Sequence, residues 1–117
     1  MKTTMSTTVE SKLRKVADAL VAIKDLTVYH YYRFNKQLPY CIWEEVMEAE
    51  SFEGDDHKGE QAIQGAVHYF TKTEFDPMVD NIQGALDSAE CVAWRYESIQ
   101  YEEETNTIHH EWLFVVM

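Results

Sequence analysis

The stretch VAWRYESIQYEEETNTIHHEWLFVVM, residues 92–117, decides how this chain folds. Successive side chains on a strand point to opposite faces of a sheet. Trp94, Tyr96 and Ser98 then share one face, and Arg95, Glu97 and Ile99 the other. A polar turn follows around Thr105 and Asn106. Beyond it, Ile108, His110, Trp112, Phe114 and Val116 alternate with His109, Glu111, Leu113 and Val115. Two long alternating runs across a polar turn predict a β-hairpin.

Working towards the N-terminus, EFDPMVDNIQGALDSAE (74–90) changes period. Asp76 before Pro77 places an N-cap acid ahead of a proline whose missing N–H costs nothing at the first helical position. Phe75, Val79, Ile82, Leu86 and Ala89 make an apolar stripe, so a helix is predicted over about 77–89. QAIQGAVHYFTKT (61–73) reads as a strand with Ile63, Val67 and Tyr69 on one face and Gly65 between them. Its alternation is imperfect at Ala62, Ala66, His68 and Phe70, so both faces should be partly covered.

At the N-terminal end, Val9, Leu13, Val16, Leu20 and Ile23 are spaced by four and three residues. They predict a helix over about 8–24, with Thr7 and Glu10 as a capping box and Lys12, Arg14, Lys15 and Asp18 off the apolar stripe. Residues 1–6 are polar and expected to fray. TVYHYYRFN (27–35) is rich in β-branched and aromatic residues and predicts a strand. Val28, His30, Tyr32 and Phe34 would face one way, and Tyr29, Tyr31 and Arg33 the other. LPYCIWEEV (38–46) predicts a second strand, its start or edge marked by Pro39, and the two are expected to pair as a hairpin. MEAESFEGDDHKGE (47–60) is an acidic connection. The order α-β-β-β-α-β-β fits one α+β domain over residues 1–117, an antiparallel-rich sheet covered by two helices.

Composition narrows the function. The 117 residues are 45% hydrophobic and 13% aromatic, enough for a packed core. The net charge is −11 and the pI about 4.7. Phosphate backbones and anionic membranes attract Lys and Arg clusters, which this chain lacks. No run reaches the ~20 apolar residues of a membrane span. Cys41 and Cys91 form no CxxC pair and read as reduced structural thiols.

Chemistry-bearing patterns are sparse. His109 and Glu111 share a strand face while His110 points away, so at most two ligands meet unless Glu97 or Glu102 joins from across the hairpin. Zinc sites use three or four. EGDDHKGE does not meet the spacing of a calcium loop, and Glu44 and Glu45 fall on opposite faces of their strand. No nucleophile elbow or phosphate loop is present. The expectation is a protein with no catalytic centre, metal or cofactor. Aromatic residues are more numerous on the strands than one sheet face can hide, so some should meet a neighbouring subunit. Tyr29, Tyr31, Trp43, Trp112 and Phe114 are the candidates.

The segments LPYCIWEE, AVHYFTKTEFDPMVDNIQGAL and SIQYEEETNTIHHEWLF, with the acidic connection, resemble small tail proteins of phages and prophages. Over about residues 26–116 the chain is similar to the tail-completion (tail-terminator) family of long-tailed phages. The resemblance implies a twisted sheet with helices on one side and no active site. It implies a homo-oligomeric ring, typically a hexamer, that caps the tail tube and docks to the head connector. Assembly would take place in the host cytoplasm and the product would reside in the virion tail. DNA would pass through without specific binding, and Glu48, Glu50, Glu53, Asp55, Asp56, Glu102, Glu103 and Glu104 could line the lumen or the docking surface. Two alternatives share the size and charge: a neighbouring head–tail connector protein, or an acidic inhibitor that mimics nucleic acid.

Overall fold

The N-terminal apolar stripe folds into helix α1, Val9–Val21, in the computed structural model, which describes residues 8–35, 37–49 and 61–117. After it come β1 (Val28–His30), β2 (Tyr40–Glu48), β3 (Ile63–Thr71), α2 (Met78–Ser88), β4 (Val92–Glu102) and β5 (Thr107–Val116). The strands form one mixed sheet in the order β1-β2-β3-β5-β4. The chain is an α+β domain with the predicted order of elements. Residues 1–6 and 50–60 of the acidic connection lie outside the described residues.

The two helices share one face of the sheet. Val16 and Leu20 of α1 and Ile82 and Leu86 of α2 are fully buried. They pack over Cys41, Trp43, Ile63, Val67, Tyr69, Trp112, Phe114 and Val116, which the strand register places on a single face. Each large side chain removed from water there contributes about 1.5–3 kcal/mol. Gly65 lies opposite Phe114, and any Cβ at that position would overlap the Phe114 ring and the Glu44 carbonyl oxygen.

The capping box of α1 is shifted from its expected place, while the capping acid of α2 holds. Thr7 of the expected capping box lies outside the described residues; the box is formed one position on, by Thr8 and Ser11. At α2 the Asp76 carboxylate accepts the Met78 N–H at 2.9 Å, and Pro77 already has helical backbone angles.

Four expectations need correcting. First, β1 and β2 are parallel, with Val28 opposite Cys41 and His30 opposite Trp43. A hairpin requires the chain to reverse within a few residues of His30. Instead Tyr31 adopts a left-handed φ of 78°, and β2 begins only at Tyr40, just past a cis Leu38–Pro39 bond. That φ also ends the expected alternation, because Tyr31 joins His30 on the same side.

Second, the register of β4 against β5 shifts between Tyr96 and Ser98. The bulged Glu97 moves the following residues to the opposite face, so Ile99 and Tyr101, not Ser98, continue the row of Trp94 and Tyr96. Third, Lys12 is 2% exposed although it falls off the apolar stripe. Its stem packs inside while its ammonium donates to the Gln61 carbonyl at 2.7 Å. Fourth, Phe75 does not join the α2 stripe; it is 96% exposed.

Candidate functional site

Three of the expected interface residues are core residues. Trp43 is 4% exposed, Trp112 0% and Phe114 1%. The Trp112 indole N–H donates to Gln83 on α2 at 3.0 Å, which satisfies its one polar atom and fixes it beneath that helix. Trp112 and Phe114 therefore have almost no surface to offer a neighbour, and Trp43 keeps only a narrow exposed strip at the edge of the core. The surplus of aromatics is absorbed differently: the central strands put these rings under the helices, and the sheet margins keep the exposed ones.

One margin is the β1 edge. Tyr31, Tyr32 and Phe34 are exposed there, and Tyr29 is half-buried against Phe34 and Tyr40. The His30 ring stacks between Trp43 and Tyr31, both at 3.9 Å. Its Nε2 lies 2.7 Å from Glu45, whose other oxygen accepts the Tyr31 hydroxyl. Burial opposes charge on Glu45, but the Tyr31 and His30 hydrogen bonds outweigh it and hold the carboxyl below its usual range. Beside this cluster, Val9, Leu13, Ala17, Trp43 and His30 line a cleft of about 510 Å³. Glu10 and Arg14 stand on its rim, paired at 3.0 Å.

The other margin is the β4 edge. Tyr96, Ile99 and Tyr101 are exposed on its helix-bearing side, and Ile99 lines a shallow depression together with Phe75. The turn that carries Phe75 is tied down by Asp76. One Asp76 oxygen accepts the Tyr69 and Thr71 hydroxyls, each at 2.8 Å, and the other accepts the Met78 N–H. Burial works against ionisation of Asp76, and these three donors overcome it and lower the carboxyl below its ordinary value. The Tyr69 hydroxyl is pushed up by burial and then by the same carboxylate.

The open face of the sheet carries a line of polar groups that the sequence did not foretell. His68 Nδ1 and His109 Nε2 are 2.9 Å apart. Glu44 lies 3.5 Å from the far side of His68, and Glu102 lies 3.9 Å from the far side of His109. Burial, and then the neighbouring His68, lower the tendency of His109 to take up a proton. Glu44 and Glu45 do face opposite ways, towards His68 and His30 respectively. His110 faces inward as expected and meets the Tyr96 hydroxyl at 2.5 Å.

Among the described residues, no group of three or more His, Cys, Asp or Glu side chains is placed to hold a metal ion. No serine or cysteine there is hydrogen-bonded to a histidine; Ser98 instead donates to Glu111 at 3.4 Å. Cys41 is buried, which raises its thiol to about 12, and Cys91 is exposed. No described helix is long and apolar enough to cross a membrane.

Of the acidic candidates, Glu48 ends β2 and is exposed, and Glu50, Glu53, Asp55 and Asp56 lie outside the described residues. Glu102, Glu103 and Glu104 form the exposed shoulder of the β4–β5 turn. The His68–His109 pair had no signal in the sequence, because its proximity depends on the register of β3 against β5. The Asp76 cluster had a partial one: Tyr69 and Thr71 alternate onto one face just ahead of the capping acid. In comparisons with protein-family models and with curated proteins, the chain matches none.

Proposed function

We propose that this chain is a structural phage-tail protein of the tail-completion type, whose copies form a ring at the head-proximal end of the tail tube and dock to the head connector. The observation that carries the reading is the distribution of apolar surface. Tyr31, Tyr32 and Phe34 are exposed at one margin of the sheet, and Phe75, Ile99 and Tyr101 at the other. Two unlike apolar margins suit a subunit that joins its neighbours head to tail, the arrangement that closes into rings. The charge of −11 keeps free subunits soluble and gives the acidic β4–β5 turn a role facing DNA without holding it.

Sedimentation velocity and negative-stain imaging test the ring. The expected particle is annular, with a mass about six times 13.7 kDa at high protein concentration or with tail tubes present. A chain that stays monomeric alone and with tubes overturns the proposal. Replacing Glu102, Glu103 and Glu104 by glutamine should make the ring retain DNA at low salt. Unchanged DNA affinity in that variant removes the lumen assignment while leaving the ring.

A further inference from the structure

Phe75 is the most exposed large apolar side chain among the described residues, at 96%. It is also conformationally costly, because its φ of 55° lies in the left-handed region that bulky side chains avoid. A residue held this way persists only where its surroundings over-determine it, and such sites cluster at functional positions. The surroundings here are the Asp76 cluster, with three hydrogen bonds to one carboxylate immediately after Phe75. The turn presents an aromatic ring to solvent on a rigid mount.

A matching receptor lies on the same molecule. The cleft between α1 and the β1–β2 margin has an apolar lining of Val9, Leu13, Ala17 and Trp43, and its volume of about 510 Å³ accommodates a benzyl side chain. It sits at the β1–β2 end of the sheet, whereas Phe75 borders Ile99 of β4 and Ile108 of β5 at the opposite end. One molecule cannot satisfy both features by itself. Charge is close to balanced at the cleft, where Arg14 on the rim is paired with Glu10, so Glu74 and Asp80 beside the projecting ring would meet one cation and one acid. Exposed pairs of this kind contribute little, so the contact rests on apolar fit.

We infer that the occupant of the cleft is Phe75 of a second copy of this chain. The contact rests on the reading of the protein as a self-assembling subunit, and it specifies which surfaces meet. It is heterologous, knob on one copy into cleft on the next, so it can propagate around an axis. A central aromatic anchor of this kind dominates the affinity of an interface.

Three variants and one probe test it. Phe75→Gly should weaken self-association at least about tenfold, as loss of an aromatic anchor does. Its thermal midpoint as a monomer should not fall, because glycine accepts the left-handed backbone that phenylalanine resists. Phe75→Ser should weaken association similarly. Ala17→Trp, which fills the cleft, should do the same from the other side. A benzophenone amino acid at position 75 should cross-link to peptides carrying Leu13, Ala17 or Trp43 of another copy. An assembly that forms normally with Phe75→Gly, or cross-links that map elsewhere, overturns this contact and leaves the proposed ring standing. A wild-type chain that never assembles overturns both.

Discussion

Asp76 shows how one residue can serve the backbone and the site at once. Its carboxylate caps α2 through Met78 and anchors the Tyr69 and Thr71 hydroxyls. Hydrogen bonds to a charged acceptor are each stronger than neutral ones. Asp76→Asn should cost about 1–3 kcal/mol at pH 7. The folded carboxyl titrates below its unfolded value of about 3.9, so the stabilisation is complete above that pH, declines below it and is lost as pH falls through the lower folded value. Urea unfolding at pH 7 and pH 2.5 should show the gap between wild type and Asp76→Asn closing in acid. An equal gap at both pH values would mean that the ionised carboxylate is not what stabilises this turn. The capping role was legible in the Asp-Pro pair, and the hydroxyl contacts were not, because they join side chains brought together by the end of β3. Lys12 is a second residue that spacing misplaced. Its position off the stripe predicts solvent, but a long aliphatic stem and a carbonyl acceptor at Gln61 let it lie inside.

Among the elements, β4 departs most from its pattern. Strict alternation carries Ser98 inward and Ile99 outward. The bulge at Glu97 reverses this, and Ile99 and Tyr101 reach the helix-bearing side, Ile99 near Phe75. A bulge inserts one residue whose position no polar/apolar pattern marks, so the sequence could place the strand and not its second half. The β1–β2 pair shows the same gap at larger size: both strands were legible, yet their parallel direction was not. β3 and β5 keep one unbroken register along their paired length, since most of their helix-bearing face is buried. Gly65 is where that packing is tightest. Gly65→Ala should destabilise the domain by about 3 kcal/mol, because the new methyl meets a backbone carbonyl and the Phe114 ring at once. Thermal unfolding followed by tryptophan fluorescence reads the loss; an unchanged midpoint would show that Phe114 and β2 can both give way.

For the whole molecule, charge and apolar surface act in opposite directions. Copies of a chain with net charge −11 repel one another, and the exposed side chains at the two sheet margins draw them together. Salt shortens the reach of the repulsion from about 10 Å at 0.1 M to about 3 Å at 1 M. Self-association should therefore strengthen several-fold when NaCl is raised from about 0.05 to 0.5 M, as read by sedimentation velocity. Weakening with salt would point to an interface held by opposite charges instead of apolar contact.

The sequence by itself determined the kinds and order of the elements, the cap of α2, the two-faced final hairpin and the acidic character. These follow from local chemistry: periodicity, turn residues and composition act within a few positions of one another. Tertiary structure alone decided which aromatics are buried, where the strand faces invert, that β1 runs parallel to β2, and that His68 meets His109. Each of those depends on register between distant segments or on what a helix happens to cover. Phe75 belongs to both lists. Its apolar spacing placed it in a helix stripe, and only the left-handed turn ahead of α2 put it in solvent at 96% exposure.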